Sequence, residues 1–432
     1  MNREMKHSGV QWIGDIPKDW DIDTIGNLYT LRNEKVSDKD YPPLSVSKMG
    51  VVPQLETAAK TDDGDNRKLV KVGDFAINSR SDRRGSCGIS AYDGSVSLIN
   101  TVITPREQMN PRFYSWLFHS ELFADEFYKW GHGIVDDLWT TRWQEMKRIS
   151  IVAPSLEEQQ KIASFLDRRC CEIDEMIALQ EKIVEELKAY KQSVITEAVT
   201  KGLNPDVPMK ESEIEWIGEI TERWNEKRLK DCGYLYGGLS GKAGDDFNVD
   251  EERDNYALFI PFTNIFNNLY INPQTLYKVK VEEGECQNEV LKGDVLFLMS
   301  SEDYEGLGKT SLLNVDVSPL YLNSFCKGFR ITKSDTNPRY LNYLLTSSPL
   351  RNLVMCMGNG FIRVNLRAEK LSKCPVLLPP LDEQVSIAEY LDTKCTEIDN
   401  LISIKLSKID SLKEYKKSII YEYVTGKKEV IE

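Results

Sequence analysis

A chain of 432 residues with 41% apolar residues has room for two to four units with ordinary cores. Its 55 basic residues against 68 acidic ones give a net charge of −13, which excludes a strongly basic nucleic-acid-binding domain but not a local basic groove. No apolar run is long enough to span a membrane, the N-terminus has no secretory h-region, and nine scattered cysteines without Cys-x-x-Cys fit reduced thiols in a cytoplasm.

The chain opens on a tail around His7, expected to fray, and then Ser8-Gly9-Val10-Gln11-Trp12-Ile13-Gly14-Asp15-Ile16, with Pro17 and Trp20 following. Residues 74–77 and 97–104 read as strands, and 111–130 as helix. Pro154-Ser155-Leu156-Glu157-Glu158-Gln159 then opens a long helix, with Ser155 and Glu158 at capping-box spacing. Its apolar stripe runs Ile162, Leu166, Ile173, Ile177, Val184, Leu187 and Val194, and Gly202 is the expected stop. Residues 204–211 form a polar, proline-containing linker. The opening returns as Ser212-Glu213-Ile214-Glu215-Trp216-Ile217-Gly218-Glu219-Ile220 with Trp224, but position 221 is threonine where the first copy has Pro17. Strands are expected at 291–299 and 328–332, and a helix at 338–355. Pro379-Pro380-Leu381-Asp382-Glu383-Gln384 opens a second long helix, whose stripe is Ile387, Leu391, Ile398, Ile402, Ile409, Leu412 and Ile419, with Gly426 at its end.

The chain is therefore written twice. Residues 154–203 align without gaps on 379–428 with 22 identities in 50 positions. Between these blocks only short echoes survive: Val72-Gly73-Asp74-Phe75 with Lys292-Gly293-Asp294-Val295, and Asn110-Pro111-Arg112 with Asn337-Pro338-Arg339. Two similar frames hold two different inserts, as a device reading two different things in one geometry would. The reading is α+β: two domains with twisted, mostly antiparallel sheets at 1–153 and 203–378, and two long helices at 154–202 and 379–432. Each helix would be roughly 65 Å long at 1.5 Å per residue, and its stripe needs a partner. An antiparallel coiled-coil pair with pseudo-twofold symmetry, a domain at each end, satisfies both copies.

The duplicated Trp-Ile-Gly blocks and the Pro-x-Leu-x-Glu-Gln blocks, in this order, resemble type I restriction-modification specificity subunits over nearly the whole chain. The resemblance implies two target-recognition domains, each reading half of a split double-stranded DNA site. It implies that the helices set the spacer and dock two methyltransferase subunits, with a motor-nuclease subunit joining them. It also implies that S-adenosylmethionine, ATP and Mg are bound by those partners, with no cofactor on this chain.

Arginine and lysine suit guanine edges, asparagine and glutamine suit adenine, and serine and threonine adapt to either. The densest such set in the first domain is Asn78, Ser79, Arg80, Ser81, Arg83 and Arg84, and its counterpart in the second is Ser300, Ser301, Lys309 and Thr310. A later pair of segments offers Thr141, Arg142 and Lys147 in the first domain, and Arg363, Asn365 and Arg367 in the second. The bland alternative is a set of solvated loops and helix faces. Trp12 and Trp216 belong to the shared frame, so they are expected to anchor cores rather than stack on bases. Asp167, Glu172 and Asp174, with Asp392, Glu397 and Asp399, are expected to be solvated or partner-facing helix charge.

An adenine methyltransferase would resemble its relatives in an Asn/Asp-Pro-Pro-Tyr site, and no Asn-Pro here continues that way. Gly308-Lys309-Thr310 resembles the end of a phosphate loop, but its first glycine is replaced by Asp303. Three histidines, His7, His119 and His132, lack zinc spacing. No catalysis is expected of the chain itself. A protein-binding scaffold, or a specificity subunit of another restriction class, remain the alternatives.

Overall fold

The computed structural model describes residues 3–54, 63–133, 139–212, 217–250, 255–282, 284–360 and 362–431. Two compact units divide the chain: Met1–Glu181 with Leu406–Glu432, and Lys182–Lys405. Each unit thus contains the first half of one long helix and the last half of the other.

In the first unit a four-stranded antiparallel sheet runs in the order Cys87–Ile89, Phe75–Asn78, Asn100–Pro105, Tyr29–Leu31. In the second unit the order is Thr310–Leu312, Val295–Leu298, Cys326–Ile331, Gly233–Gly237, which is the same topology. The central strands are apolar on both faces because each face has a core to fill. Phe75 and Ile77 point to the helix-side core, while Ala76 points to a smaller core with Val70, Val96 and Val102. Val295 and Phe297, against Leu296 and Leu298, divide in the same way.

The small sheets on the outer side are where the halves diverge. Gly94–Val96, Arg67–Val70 and Lys35–Val36 pair antiparallel in the first unit. In the second, Tyr256–Ile260 is central, antiparallel to Tyr277–Lys280 but parallel to Leu320–Leu322.

The Gly-Asp echo is a turn device. Gly73 and Gly293 take φ of +90° and +95°, as a glycine permits. Asp74 then accepts from Lys71 N–H, and Asp294 from Leu291 N–H, both at 2.8 Å. The same buried carboxylates hold Arg32 and Arg330.

Three expectations change. The tail at His7 is ordered: Met5–His7 pairs with Asp15–Pro17, and the linker segment Met209–Glu211 pairs likewise with Glu219–Thr221. The Ser…Gly motif closes both hairpins, through Ser8 N–H to Gly14 O at 3.2 Å and Ser212 N–H to Gly218 O at 3.0 Å. Each expected domain helix is two helices, Pro111–Phe118 with Glu121–Lys129, and Pro338–Thr346 with Ser348–Cys356. Ser120 and Ser347 turn their hydroxyls onto the preceding carbonyls, of Leu117 and Leu344, and end the first helix of each pair. Finally, only half of the capping box forms. Glu158 N–H donates to Ser155 Oγ at 3.3 Å, but the Glu158 carboxylate turns to Trp20 and Arg3.

The long helices span Leu156–Lys201 and Leu381–Val424. They run antiparallel within each unit. In the first, Phe165 packs on Tyr423 and Asp174 pairs with Lys416. In the second, Lys191 pairs with Asp399 at 2.6 Å. Every stripe residue named above is buried or half-buried. Gly202 and Gly426 end the helices with φ of +81° and +71°.

Candidate nucleic-acid interface

The shared frame fixes each domain to its helix by the same three contacts. Trp20 and Trp224, both fully buried, donate from Nε1 to Glu158 (2.7 Å) and Glu383 (3.2 Å). Gln159 and Gln384 accept the N–H of Asn110 and Asn337 at 2.8 Å, fixing the Asn-Pro-Arg turns. Those asparagines in turn cap the helices that begin at Pro111 and Pro338. Asp167 then takes Arg112 and Trp116 Nε1 (2.7 Å). Asp392 takes Arg339 (3.0 Å), Tyr343 (2.8 Å) and Tyr270.

The expectation that the helix acids are solvated or partner-facing is therefore corrected for Asp167 and Asp392, while Asp174 and Asp399 stay more than half exposed. Asp167 and Asp392 clamp the domains, and Asp174 and Asp399 bridge the helices. Glu172 and Glu397 pair with Arg169 and Lys394 on their own helices. Among the described residues no group of acids, histidines and cysteines is arranged to hold a metal. Trp12 lies half-buried, its ring edge-on to Phe123 at 6.0 Å. Trp216 lies outside the described residues.

On this rigid frame the two candidate segments of each domain meet. In the first unit Thr141 N–H donates to Ser79 O, and Ser81 N–H to Trp139 O, each at 2.9 Å. In the second, Ser300–Ser301 pairs with Val364–Asn365, and Leu366 N–H reaches Met299 O at 2.8 Å. A mutual backbone pair closes the later segment in both, His132 with Thr140 and Asn359 with Asn365. Segments separated in sequence thus form one surface twice over, with one backbone plan and different side chains.

The candidates divide by exposure. Arg83, Arg84, Arg142, Arg363, Asn365 and Arg367 are exposed; Asn78, Arg80, Ser81, Lys147 and Lys309 are partly so. Ser79, Thr141, Ser300, Ser301 and Thr310 are buried. Ser79 Oγ lies 2.9 Å from Thr101 Oγ1, and Thr141 donates to Phe127 O at 2.8 Å, so these hydroxyls support the loop from beneath. Asn78 Oδ1 accepts Arg80 N–H at 3.1 Å, shaping the turn that follows.

The cations of the 80–84 loop lie against acids. Arg84 pairs with Asp125 above the Tyr128 ring, and Arg83 lies 3.6 Å from Asp82. Arg80 Nε is 3.1 Å from Asp82, an ion pair whose angle falls outside hydrogen-bonding geometry. In the second unit Lys309 sits 3.8 Å over the Phe266 ring, and burial lowers its pKa from the ordinary value. Sequence reasoning misses Arg351, which donates to Leu307 O (2.7 Å) and Glu305 O (2.6 Å) and so shapes the 301–310 loop. Burial lowers its guanidinium pKa as well. It also misses Phe325, whose ring backs Arg363. Neither residue carries a local sequence signal, since only folding brings either one to its loop.

A family model described as the type I restriction modification DNA specificity domain matches residues 221–426. The type I restriction enzyme MjaVIII specificity subunit of Methanocaldococcus jannaschii is 25% identical over 424 residues, covering 95% of this chain and 93% of that protein. The EcoKI specificity subunit of Escherichia coli is 24% identical over 284 residues, 61% of this chain and 55% of that one. Two solved chains share the fold at 17% identity, each match covering 95% of this chain and 98% of the other. One comes from work on complex assembly and conformational transition of a type I restriction-modification system, with a TM-score of 0.71. The other is the HsdS subunit from Thermoanaerobacter tengcongensis, with a TM-score of 0.53. Residues 221–426 thus match a type I restriction modification DNA specificity domain, and the duplicated Trp and Glu-Gln frame supports two such surfaces in a chain similar over nearly its whole length to type I restriction enzyme specificity subunits.

Proposed function

We propose that each unit reads one half of a bipartite duplex DNA target, and that the antiparallel helices set the unspecified spacer between the halves. The observation that carries this reading is the paired-segment surface, present twice on one backbone plan with different side chains. Its contacts to bases would come from Asn78, Arg80, Ser81, Arg83, Arg84, Arg142 and Lys147 in one unit, and from Lys309, Arg363, Asn365 and Arg367 in the other. The buried Ser79, Thr141, Ser300, Ser301 and Thr310 hold those loops in shape.

The chain brings recognition and leaves catalysis to its partners. Two methyltransferase subunits would flip an adenine and methylate N6 from S-adenosylmethionine. A motor-nuclease subunit would bring ATP and Mg chemistry. The site of action is the cytoplasm; among the described residues no helix is long and apolar enough to cross a membrane.

The test is the genome-wide N6-methyladenine pattern in cells with and without this chain, the methyltransferase being present in both. A split motif that vanishes with the chain is the expected result, and no lost motif would overturn the proposal. Inserting whole turns into one long helix should change the tolerated spacer and leave both half-sites intact. A changed half-site would overturn the ruler.

A further inference from the structure

In the second unit the chain turns back on itself beyond Gly358, and the backbone pair Asn359–Asn365 closes the turn at 3.1 and 2.9 Å. The turn is specified tightly. Gly360 has φ of +142°, and a Cβ there would lie 2.0 Å from Arg363 O. A Cβ on Gly358 would lie 2.6 Å from Leu307 Cδ2. Near its tip Ile362 is 94% exposed. Next to it the Arg363 guanidinium sits over the Phe325 ring, 5.2 Å from the centroid. Phe325 is itself 54% exposed, and its backbone is pinned by Asn323 Oδ1 at 2.9 Å and Met299 N–H at 3.3 Å.

Among the described residues no carboxylate pairs with Arg363, in contrast to Arg84 with Asp125 and Arg330 with Asp294. The aromatic ring restricts the guanidinium without neutralising it, and most of its donors stay unspent. Ordering a long side chain before binding removes part of the entropy cost of contact. The guanidinium fork matches guanine O6 and N7. A phosphate would accept the same donors, but the neighbouring isoleucine favours a base edge. An exposed aliphatic gains nothing against a charged backbone, whereas the major-groove floor offers thymine methyls.

We propose that Arg363 reads a guanine in the half-site contacted by the second unit, and that Phe325 is its positioning residue. The proposal rests on the DNA-reading function above. The experiment uses the full complex with its methyltransferase partners. It measures methylation of duplexes carrying every single substitution in both half-sites, at two salt concentrations. Arg363→Ala should relax discrimination at one G·C position of one half-site by roughly 5- to 150-fold, leaving the other half-site unchanged. Arg363→Lys should keep overall binding and its salt dependence but lose that discrimination, because lysine lacks the fork. Phe325→Leu should weaken discrimination at the same position only, and Phe325→Tyr should restore it.

A uniform loss over all sequences with a shallower salt dependence would make Arg363 a phosphate contact and overturn the proposal. An unchanged profile in Arg363→Ala would overturn it too. Absence of any preference in the wild-type complex would overturn the DNA-reading function itself, a distinct result.

Discussion

Gln384 is fully buried and makes three hydrogen bonds at 2.8 Å. Its Oε1 accepts Asn337 N–H, and its Nε2 donates to the carbonyls of Pro379 and Asp335. Its twin Gln159 makes two bonds of the same length, to Asn110 N–H and Pro154 O. Stripping a buried polar group of its partner costs about 1–3 kcal/mol. Water entering the vacated space would recover part of that. Gln384→Ala should then lose about 3–5 kcal/mol, and Gln159→Ala about 1 kcal/mol less, one bond fewer.

Gln384→Glu is the sharper variant. It keeps the acceptor for Asn337 but points a second oxygen at two carbonyls. Only the protonated carboxyl can donate there, so its folded pKa is raised above the unfolded value of about 4.3. A raised folded pKa means stability is greatest below the unfolded value and is lost as pH rises through the folded one. Gln384→Glu should therefore fall further behind wild type at pH 8 than at pH 5. Because the chain has two units, a single unfolding free energy is poorly defined. Hydrogen exchange at Asn337 and along Pro338–Thr346 reads the local effect at fixed pH, and urea midpoints of the second unit read the pH effect. The reasoning fails if Gln384→Ala costs no more than Gln159→Ala, or if Gln384→Glu is equally destabilised at both pH values.

Three more outcomes follow from local geometry. Gly426→Ala should cost more than Gly202→Ala in thermal melts. Both carry a left-handed backbone worth about 1 kcal/mol, but a Cβ at 426 would lie 2.4 Å from the Pro17 ring, whereas at 202 the nearest atoms, Glu383 Oε1 and Trp224 Cζ2, lie at 3.0 and 3.3 Å. Thr141→Val should lose about 1 kcal/mol of stability and leave the methylated motif unchanged, while Arg142→Ala, at an exposed and unpaired site among the described residues, should spare stability and alter one half-site. Burial pushes the thiols of Cys87, Cys326 and Cys374 up to about 12, so brief alkylation at pH 8 followed by mass spectrometry should label the exposed Cys171, Cys286 and Cys356 and spare those three.

What the sequence reveals is the frame, because a frame used twice repeats its residues. Glu158, Gln159, Asp167 and Asn110 recur as Glu383, Gln384, Asp392 and Asn337, since each makes the same bond in each unit. Their roles are less legible. Asp167 and Asp392 look solvated because their donors sit on a helix far upstream, which no local spacing reports. Ser120 and Ser347 hide in apolar-periodic runs, so two helices read as one. The parallel pairing of Tyr256–Ile260 with Leu320–Leu322 joins distant segments, and periodicity identifies a strand without naming its neighbour. Within the candidate surface, serine and threonine read alike whether they point at solvent or into the loop's underside. Only the fold separates Ser79 from Arg83.

The acidic balance of the chain, −13 overall, bears on how such a surface works. In the first unit Arg80 and Arg83 lie against Asp82, and Arg84 holds Asp125. Each neighbouring carboxylate cancels part of the field its cation would otherwise project towards DNA phosphates, so the long-range, sequence-independent attraction is small. An exposed ion pair costs only about 0–1 kcal/mol to break, so a base edge that matches the donors can still take them. Paired cations therefore suppress sequence-independent attraction more than they suppress reading, and specificity is a difference between those two affinities. In the second unit Lys309 is drawn in over Phe266, while Arg363 keeps its charge on Phe325. On that argument an acidic recognition chain is physically reasonable: weak phosphate binding of its own keeps discrimination high, and methyltransferase partners of the kind proposed would contribute the remaining backbone contacts.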